Sequence, residues 1–399
     1  MDQAVQLGAK RSRLLAAYSA AEASSREMAI SAGQRPDPVL TLGLTNVPVN
    51  GDQRFSLTRD FMTMRSVGLM QQLTRGDKLA ARSSRQLREA EVAEARRLAA
   101  LTQLKRDTAQ AWFDVHYSAR ILALLQMQRA ETALQVEGAE ASYRAQRGSQ
   151  ADIFATRSAM ARLDDRISQA KTQLAAARTR LVRWAGEDGM RPLAQPPPQS
   201  RAPLDPATLE AELEKEPTVT LLAAQKAAAQ AQADIARTEK KADWRVEVML
   251  STRGPAFSDM LSVNFAVPLQ WDQQNRQDRE LAARLATVEQ LQQEREEALR
   301  AQVALARERL QQWQSRLDRM ALYQGSLLPL ATQRAEAALT GYRAGKGPLG
   351  AVLEARRMDI DIQLEALRLE MEAASLWVQL TYLIPENPPA TATRPGATQ

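Results

Sequence analysis

The sequence predicts a mainly α-helical protein with a small β part, written twice in tandem. Three observations predict it. Glycine and proline are absent from long stretches, at 77–137, 149–185, 269–324 and 351–384. Within these stretches the apolar residues step by three, four and seven, as on one face of a supercoiled helix. Two short breaks then carry matching residues: Tyr143-Arg144-Ala145-Gln146-Arg147-Gly148 reads against Tyr342-Arg343-Ala344-Gly345-Lys346-Gly347, and Arg157 falls opposite Arg356, at a constant interval of 199 residues. A repeat this long is a duplicated domain rather than a solenoid unit.

Composition narrows the function. The chain has 399 residues, 44% hydrophobic and 25% charged, so it carries enough apolar side chains to fold. It has no cysteine and one histidine, His116. A thiolate nucleophile, a Cys-ligated zinc, a histidine cluster and a Ser/His/Asp triad are therefore excluded or hard to build, and neither enzyme chemistry nor a cofactor is expected. The 53 basic and 47 acidic residues are interspersed and only 5% are aromatic, which argues against nucleic acid. No apolar run approaches the ~20 residues of a spanning helix. The start, Met1-Asp2-Gln3-Ala4-Val5, lacks the apolar run of a signal peptide.

Taken in order, the first copy covers 1–189. An Ala-rich helix (2–33) leads into a β-hairpin (38–73), a long helix (77–145), a tip turn and a returning helix (150–188). A Pro-rich linker (190–206) precedes the second copy, 207–384. There the Ala-rich helix is 207–242, the hairpin 244–270, the long helix 275–343 and the returning helix 349–384. The tail, 385–399, reads as disordered. At 1.5 Å per residue each long helix extends roughly 100 Å. The seam of the first runs Leu98, Leu101, Leu104, Ala111, Val115, and that of the second Val303, Leu310, Trp313, Leu317, Met320.

Between the helices the apolar period changes from 3.6 to 2. Trp244, Val246, Val248 and Leu250 alternate with Arg245, Glu247, Met249 and Ser251. Leu261, Val263, Phe265, Val267 and Leu269 alternate with polar or small residues, and Leu40, Leu42, Leu44, Val67 and Leu69 form a weaker version. Strands of this length cross a bilayer in a tilted barrel, with Phe61, Trp244, Phe257 and Trp271 placed to serve as interfacial aromatics. Four strands cannot close a barrel, for which about eight is the minimum, so several chains must contribute. A soluble half-buried sheet shows the same alternation.

The duplicated order of elements resembles the TolC family of outer membrane efflux ducts, over residues 1–384. The resemblance implies a homotrimer that closes a 12-stranded β-barrel in outer membrane lipid and an α-helical tunnel through the periplasm. It also implies two partners, a periplasmic adaptor and an inner-membrane RND-type pump. The segment Asp60-Phe61-Met62-Thr63-Met64-Arg65 through Gly76-Asp77-Lys78-Leu79-Ala80-Ala81-Arg82 is similar to the heavy-metal branch, as is Val267-Pro268-Leu269 followed by Asn275-Arg276. Carried over through the tip turn, the family's acidic constriction falls on Asp152 and Glu354, as two rings of three charges in a trimer. Their repeat partners are Ala351 and Ala155. For Asp152 a helix-capping role stands equal to the gate; for Glu354 a solvated face does. Arg144, Arg147, Gly148, Arg343, Lys346 and Gly347 crowd the tips and are the expected adaptor-docking residues, or cations complementing helix C-termini. No resident metal site is expected: His116 reads as packed beside Trp112, and the 13 methionines are scattered. Asp164-Asp165 and Asp359/Asp361 read as charged helix faces without a role. The expected activity is passive conduction of heavy-metal cations from periplasm to exterior. A duct for drugs or other small molecules and a soluble coiled-coil adaptor or scaffold remain as alternatives.

Overall fold

Two alanine-rich segments open the chain as α1 (Asp2–Arg11) and α2 (Arg13–Ala32). The expected single helix is broken at Ser12, whose extended backbone (φ −67, ψ 111) ends α1 while its Oγ accepts the Leu15 amide at 3.3 Å and caps α2. The computed structural model describes residues 1–190, 195–199 and 201–385. Part of the Pro-rich linker and nearly all of the predicted disordered tail lie outside the described residues.

The next elements are β1 (Val39–Thr45), β2 (Met64–Leu73), α3 (Gly76–Arg144) and α4 (Gln150–Ala185). After a short 3-10 turn at Glu187–Met190 come α5 (Leu209–Leu213), α6 (Pro217–Glu239), β3 (Trp244–Thr252) and β4 (Met260–Ala266). Pro217 begins α6 at the first helical position, where its missing N–H costs nothing. β4 stops at Ala266, short of the expected 270, because Pro268 has no amide to continue the ladder.

The predicted long helix 275–343 is not uniform. It runs as α7 (Gln277–Leu322), a π-helical turn at Tyr323–Leu327, and α8 (Leu328–Arg343), before α9 (Leu349–Thr381) returns. Pro329 explains the interruption: its ring crowds the carbonyl four residues back, at Gly325, and it cannot donate the fourth-residue bond. In α3, Ala130 stands opposite Pro329, and the helix is unbroken over 69 residues.

Contacts divide the chain into two compact units, each drawing on both sequence halves. One comprises residues 17–97 and 220–297 and contains the sheet. Its four strands lie in the order β1-β2-β3-β4, all antiparallel. The other comprises 1–16, 98–219 and 298–399 and holds the helical cores. In one core Trp112 and Phe113 of α3 meet Leu174 and Leu181 of α4 and Val378 of α9. In a second, Leu209 and Leu213 cover Val303 and Trp313 of α7. A third joins Leu125, Leu163, Ile167, Ile360 and Leu364. A fourth, of Ala139, Leu349 and Val352, lies near the tip turns.

Candidate functional site

Register places the leucines of the four strands, with most of their other apolar side chains, on one face of the sheet, while Val39, Met64, Met70, Met249 and Met260 fall on the other. Leu40 pairs with Leu69, Leu69 with Val248 and Val248 with Val263; one step on, Leu42, Val67, Leu250 and Leu261 align. Toward the helices the same face carries Leu73, Trp244 and Phe265. All of these are exposed, Leu42 to 73%, Leu261 to 70% and Phe265 to 67%. The other face presents Thr41, Gly43, Ser66, Gly68, Glu247, Ser262 and Asn264. Leaving a dozen such side chains in water forgoes on the order of 20 kcal/mol of burial free energy. The outer edges of β1 and β4 carry unpaired backbone groups as well. Among the described residues, no helix is long and apolar enough to cross a membrane.

At the base of the sheet, Asp243, which immediately precedes β3, holds the start of α3. Lys78 Nζ lies 3.1 Å from Asp243 Oδ2 and the Arg75 amide donates to Oδ1 at 3.3 Å. Both side chains are nearly enclosed, at 8% and 11% exposure.

The two tip turns of the helical unit share one hydrogen-bond pattern. In the first, the amides of Ala145, Gln146 and Arg147 donate to the carbonyls of Ala141, Tyr143 and Ser142. In the second, those of Ala344, Gly345 and Lys346 donate to Thr340, Tyr342 and Gly341. Gln146 (φ 58) and Gly345 (φ 69) hold the left-handed position that ends each helix. Gly148 is also constrained, since a Cβ there would lie 3.2 Å from the Ser142 Cβ.

The predicted gate residues each find a partner on their own helix. Asp152 is the third residue of α4 and closes a capping box: its amide donates to Ser149 Oγ, and its Oδ2 accepts the Ser149 amide at 2.9 Å. Its capping role is therefore realised. Glu354 is exposed and accepts from Arg357 at 2.8 Å. Arg144, Arg147, Arg343 and Lys346 are exposed at the tips and make no ion pair among the described residues.

One reading needs correction. Asp359 is not on a solvated face; it is 1% exposed, accepts from Thr332 Oγ1 at 3.2 Å and lies 3.9 Å from Arg356. Arg356 also reaches Glu131 of α3 at 3.3 Å. The signal was one heptad: Asp359 lies seven residues after the fully buried Val352, on the same stripe. Its repeat-related arginine behaves differently, since Arg157 pairs with Glu140 at 2.7 Å. The repeat counterparts of Glu131 and Glu140 are Leu330 and Leu339, so α8 offers Arg356 no equivalent carboxylate. Asp361 and Asp164 do lie on charged faces, paired with Arg166 and Arg129. His116 stacks on Trp112 with ring centroids 5.5 Å apart. Burial, reinforced by Arg120, holds its imidazole below the usual histidine range, against a smaller opposing pull from Glu370. Among the described residues no group of three or more His, Cys, Asp or Glu side chains is placed to hold a metal ion.

No protein-family model matches the sequence, and no curated protein does. Solved structures match over nearly its whole length. The outer membrane protein VceC of Vibrio cholerae is similar at 16% identity and TM-score 0.78, over 95% of this chain and 94% of that one. The fold is that of an outer-membrane-channel subunit. CusC, whose structures describe transmembrane channel formation, has the same fold at 16% identity and TM-score 0.81, over 96% and 91%. The open-state MtrE channel of Neisseria gonorrhoeae matches at 15% identity and TM-score 0.67, over 95% and 87%.

Proposed function

We propose that the chain is one subunit of a homotrimeric outer membrane channel, the passive, non-enzymatic exit duct of a tripartite efflux pump. The observation that carries this reading is the sheet: its apolar face is exposed and both edges are open. In hydrocarbon an unpaired edge costs several kcal/mol for each backbone group, so a spanning sheet must close. β1 and β4 run in opposite directions, so β4 of one copy meets β1 of the next as an antiparallel pair. Three copies make a barrel of twelve strands, with Thr41, Ser66, Ser262 and Asn264 toward the lumen. Nine residues of β3, tilted by about 40°, cover roughly the 25 Å height of such an apolar band.

The tandem halves, 1–189 and 207–384, each supply one hairpin and one pair of long helices. At the tips, Asp152 and Glu354 set two rings of three carboxylates that favour cations. The unpaired cations Arg144, Arg147, Arg343 and Lys346, with Gly148 and Gly347 shaping the turns, receive the periplasmic adaptor of an RND-type pump. Heavy-metal cations are the proposed cargo, on the likeness of residues 60–82 to the heavy-metal branch. The fold is equally compatible with a duct for drugs or other small molecules.

Fractionation tests the channel reading. Recovery in the outer membrane as a heat-sensitive trimer is expected, and a soluble monomer without detergent would refute it. Single-channel recording tests the gate: current and cation selectivity unchanged in an Asp152→Ala/Glu354→Ala variant would remove both residues from it. Loss of metal resistance in a deletion strain, with drug resistance intact, is the outcome expected for the cargo.

A further inference from the structure

The hairpin turns at the end of the sheet away from the helices each carry an arginine stacked on a phenylalanine. Arg54 Cζ lies 5.4 Å from the Phe55 ring centroid, and Arg253 Cζ 5.6 Å from that of Phe257. Phe55 is held in the left-handed region at φ 58, which a bulky residue rarely adopts. The ring nevertheless stays 64% exposed, so the strained backbone displays it rather than burying it. The loop that holds it is folded. The Phe55 amide donates to the Pro48 carbonyl at 2.7 Å, and Arg253 donates to the carbonyls of Ser258 and Phe61 at 3.1 and 3.4 Å. Thr58 packs its carbonyl against Gly254, where a Cβ would fall 1.7 Å away.

Charge at this end of the sheet is uneven. Arg54, Arg59, Arg65 and Arg253 stand with Asp52, Asp60 and Asp259. Asp60 turns its carboxylate onto the amides of Met62 and Thr63, at 2.8 and 3.0 Å. Arg54 and Arg59 are exposed and make no ion pair among the described residues. At Arg54 and Phe55 an exposed aromatic ring beside a free guanidinium, next to an apolar sheet face, matches a membrane boundary: the ring sits at headgroup level and the guanidinium takes phosphate oxygens.

Resting on the membrane reading above, we infer that Arg54 and Arg59, with the Phe55 ring, form a binding surface for anionic phosphate headgroups of lipids. The test uses full-length protein reconstituted into vesicles of phosphatidylcholine alone or with phosphatidic acid, then extracted in detergent, with co-purifying lipid counted by native mass spectrometry. Wild type is expected to retain phosphatidic acid about fivefold over phosphatidylcholine, with the preference shrinking as salt rises. The Arg54→Gln/Arg59→Gln variant changes no backbone contact, turns the local excess of one positive charge into one negative, and is expected to lose the preference. Insertion with equal retention of both lipids, or an unchanged preference in the variant, would overturn this inference alone. Displacement of the bound lipid by inorganic phosphate would overturn it too, by showing that the surface does not read a lipid. Failure to insert into either vesicle would instead overturn the membrane reading.

Discussion

Replacing Lys78 with methionine tests the ion pair that seats the sheet on its helices. Methionine keeps most of the side-chain volume but leaves Asp243 enclosed, at 11% exposure, with only the Arg75 amide as partner. Breaking a buried pair from one side costs about 3–5 kcal/mol, most of it from the stranded charge. In a unit of about 150–250 residues each kcal/mol moves the melting temperature by about 2–4 °C, so a fall of about 10 °C is expected. The double variant Lys78→Met/Asp243→Leu removes both charges and should recover most of that loss, because an apolar pair of similar volume replaces an ion pair at little net cost. Circular dichroism in detergent at fixed protein concentration reads the cycle. If the double variant melts as low as Lys78→Met, the loss comes from packing around position 78 and not from an unpaired Asp243, and the reasoning fails.

Three further outcomes follow from the geometry. Gly254→Ala should free the loop 46–63 from its turn and open Arg54 and Arg59 to trypsin, since the new Cβ would collide with the Thr58 carbonyl; unchanged proteolysis would contradict that contact. Arg356→Met should destabilise the helical unit more than Glu131→Gln, because it strands Asp359, 2% exposed at its side chain, whereas Glu131 is 40% exposed; denaturant midpoints decide. His116 has a folded-state pKa below its unfolded value of about 6.5, so the unfolded chain binds more protons. Its contribution is therefore present above that value and lost as pH falls from it through the lower folded value, and melting curves between about pH 7 and 5 should show a slope that His116→Gln removes.

The helices and their tips were legible because each depends on local residues. Gln146 and Gly345, with the Tyr–Arg steps before them, specify the same three turn bonds in both copies. The interruption before Pro329 was legible in principle, since the heptad line through Trp313 and Met320 arrives at the exposed Arg334 and the buried residue is Ala335, one step on. Ser12 was harder, because a serine inside an alanine-rich run caps a helix only when the chain bends there. The pairing of Lys78 with Asp243, 165 residues apart, leaves no periodic trace at all. Asp359 was misplaced because charge was weighed above its position on the Val352 stripe.

Alternating strands alone leave open whether a sheet faces lipid or its own helices, and exposure decides between them. A soluble sheet turns its apolar side inward, where helices of the same chain cover it and its polar side meets water. Here Leu40, Leu69, Val248 and Val263 are aligned across four strands and are all at least 44% exposed. The chain therefore leaves uncovered the face that a soluble sheet would bury. Exposed apolar patches of this extent mark an interface with something apolar. A protein partner would cover the face but leave the edges of β1 and β4 unpaired, whereas copies of the same chain satisfy the edges and leave the face for lipid. The closed barrel in a bilayer proposed above answers both demands at once.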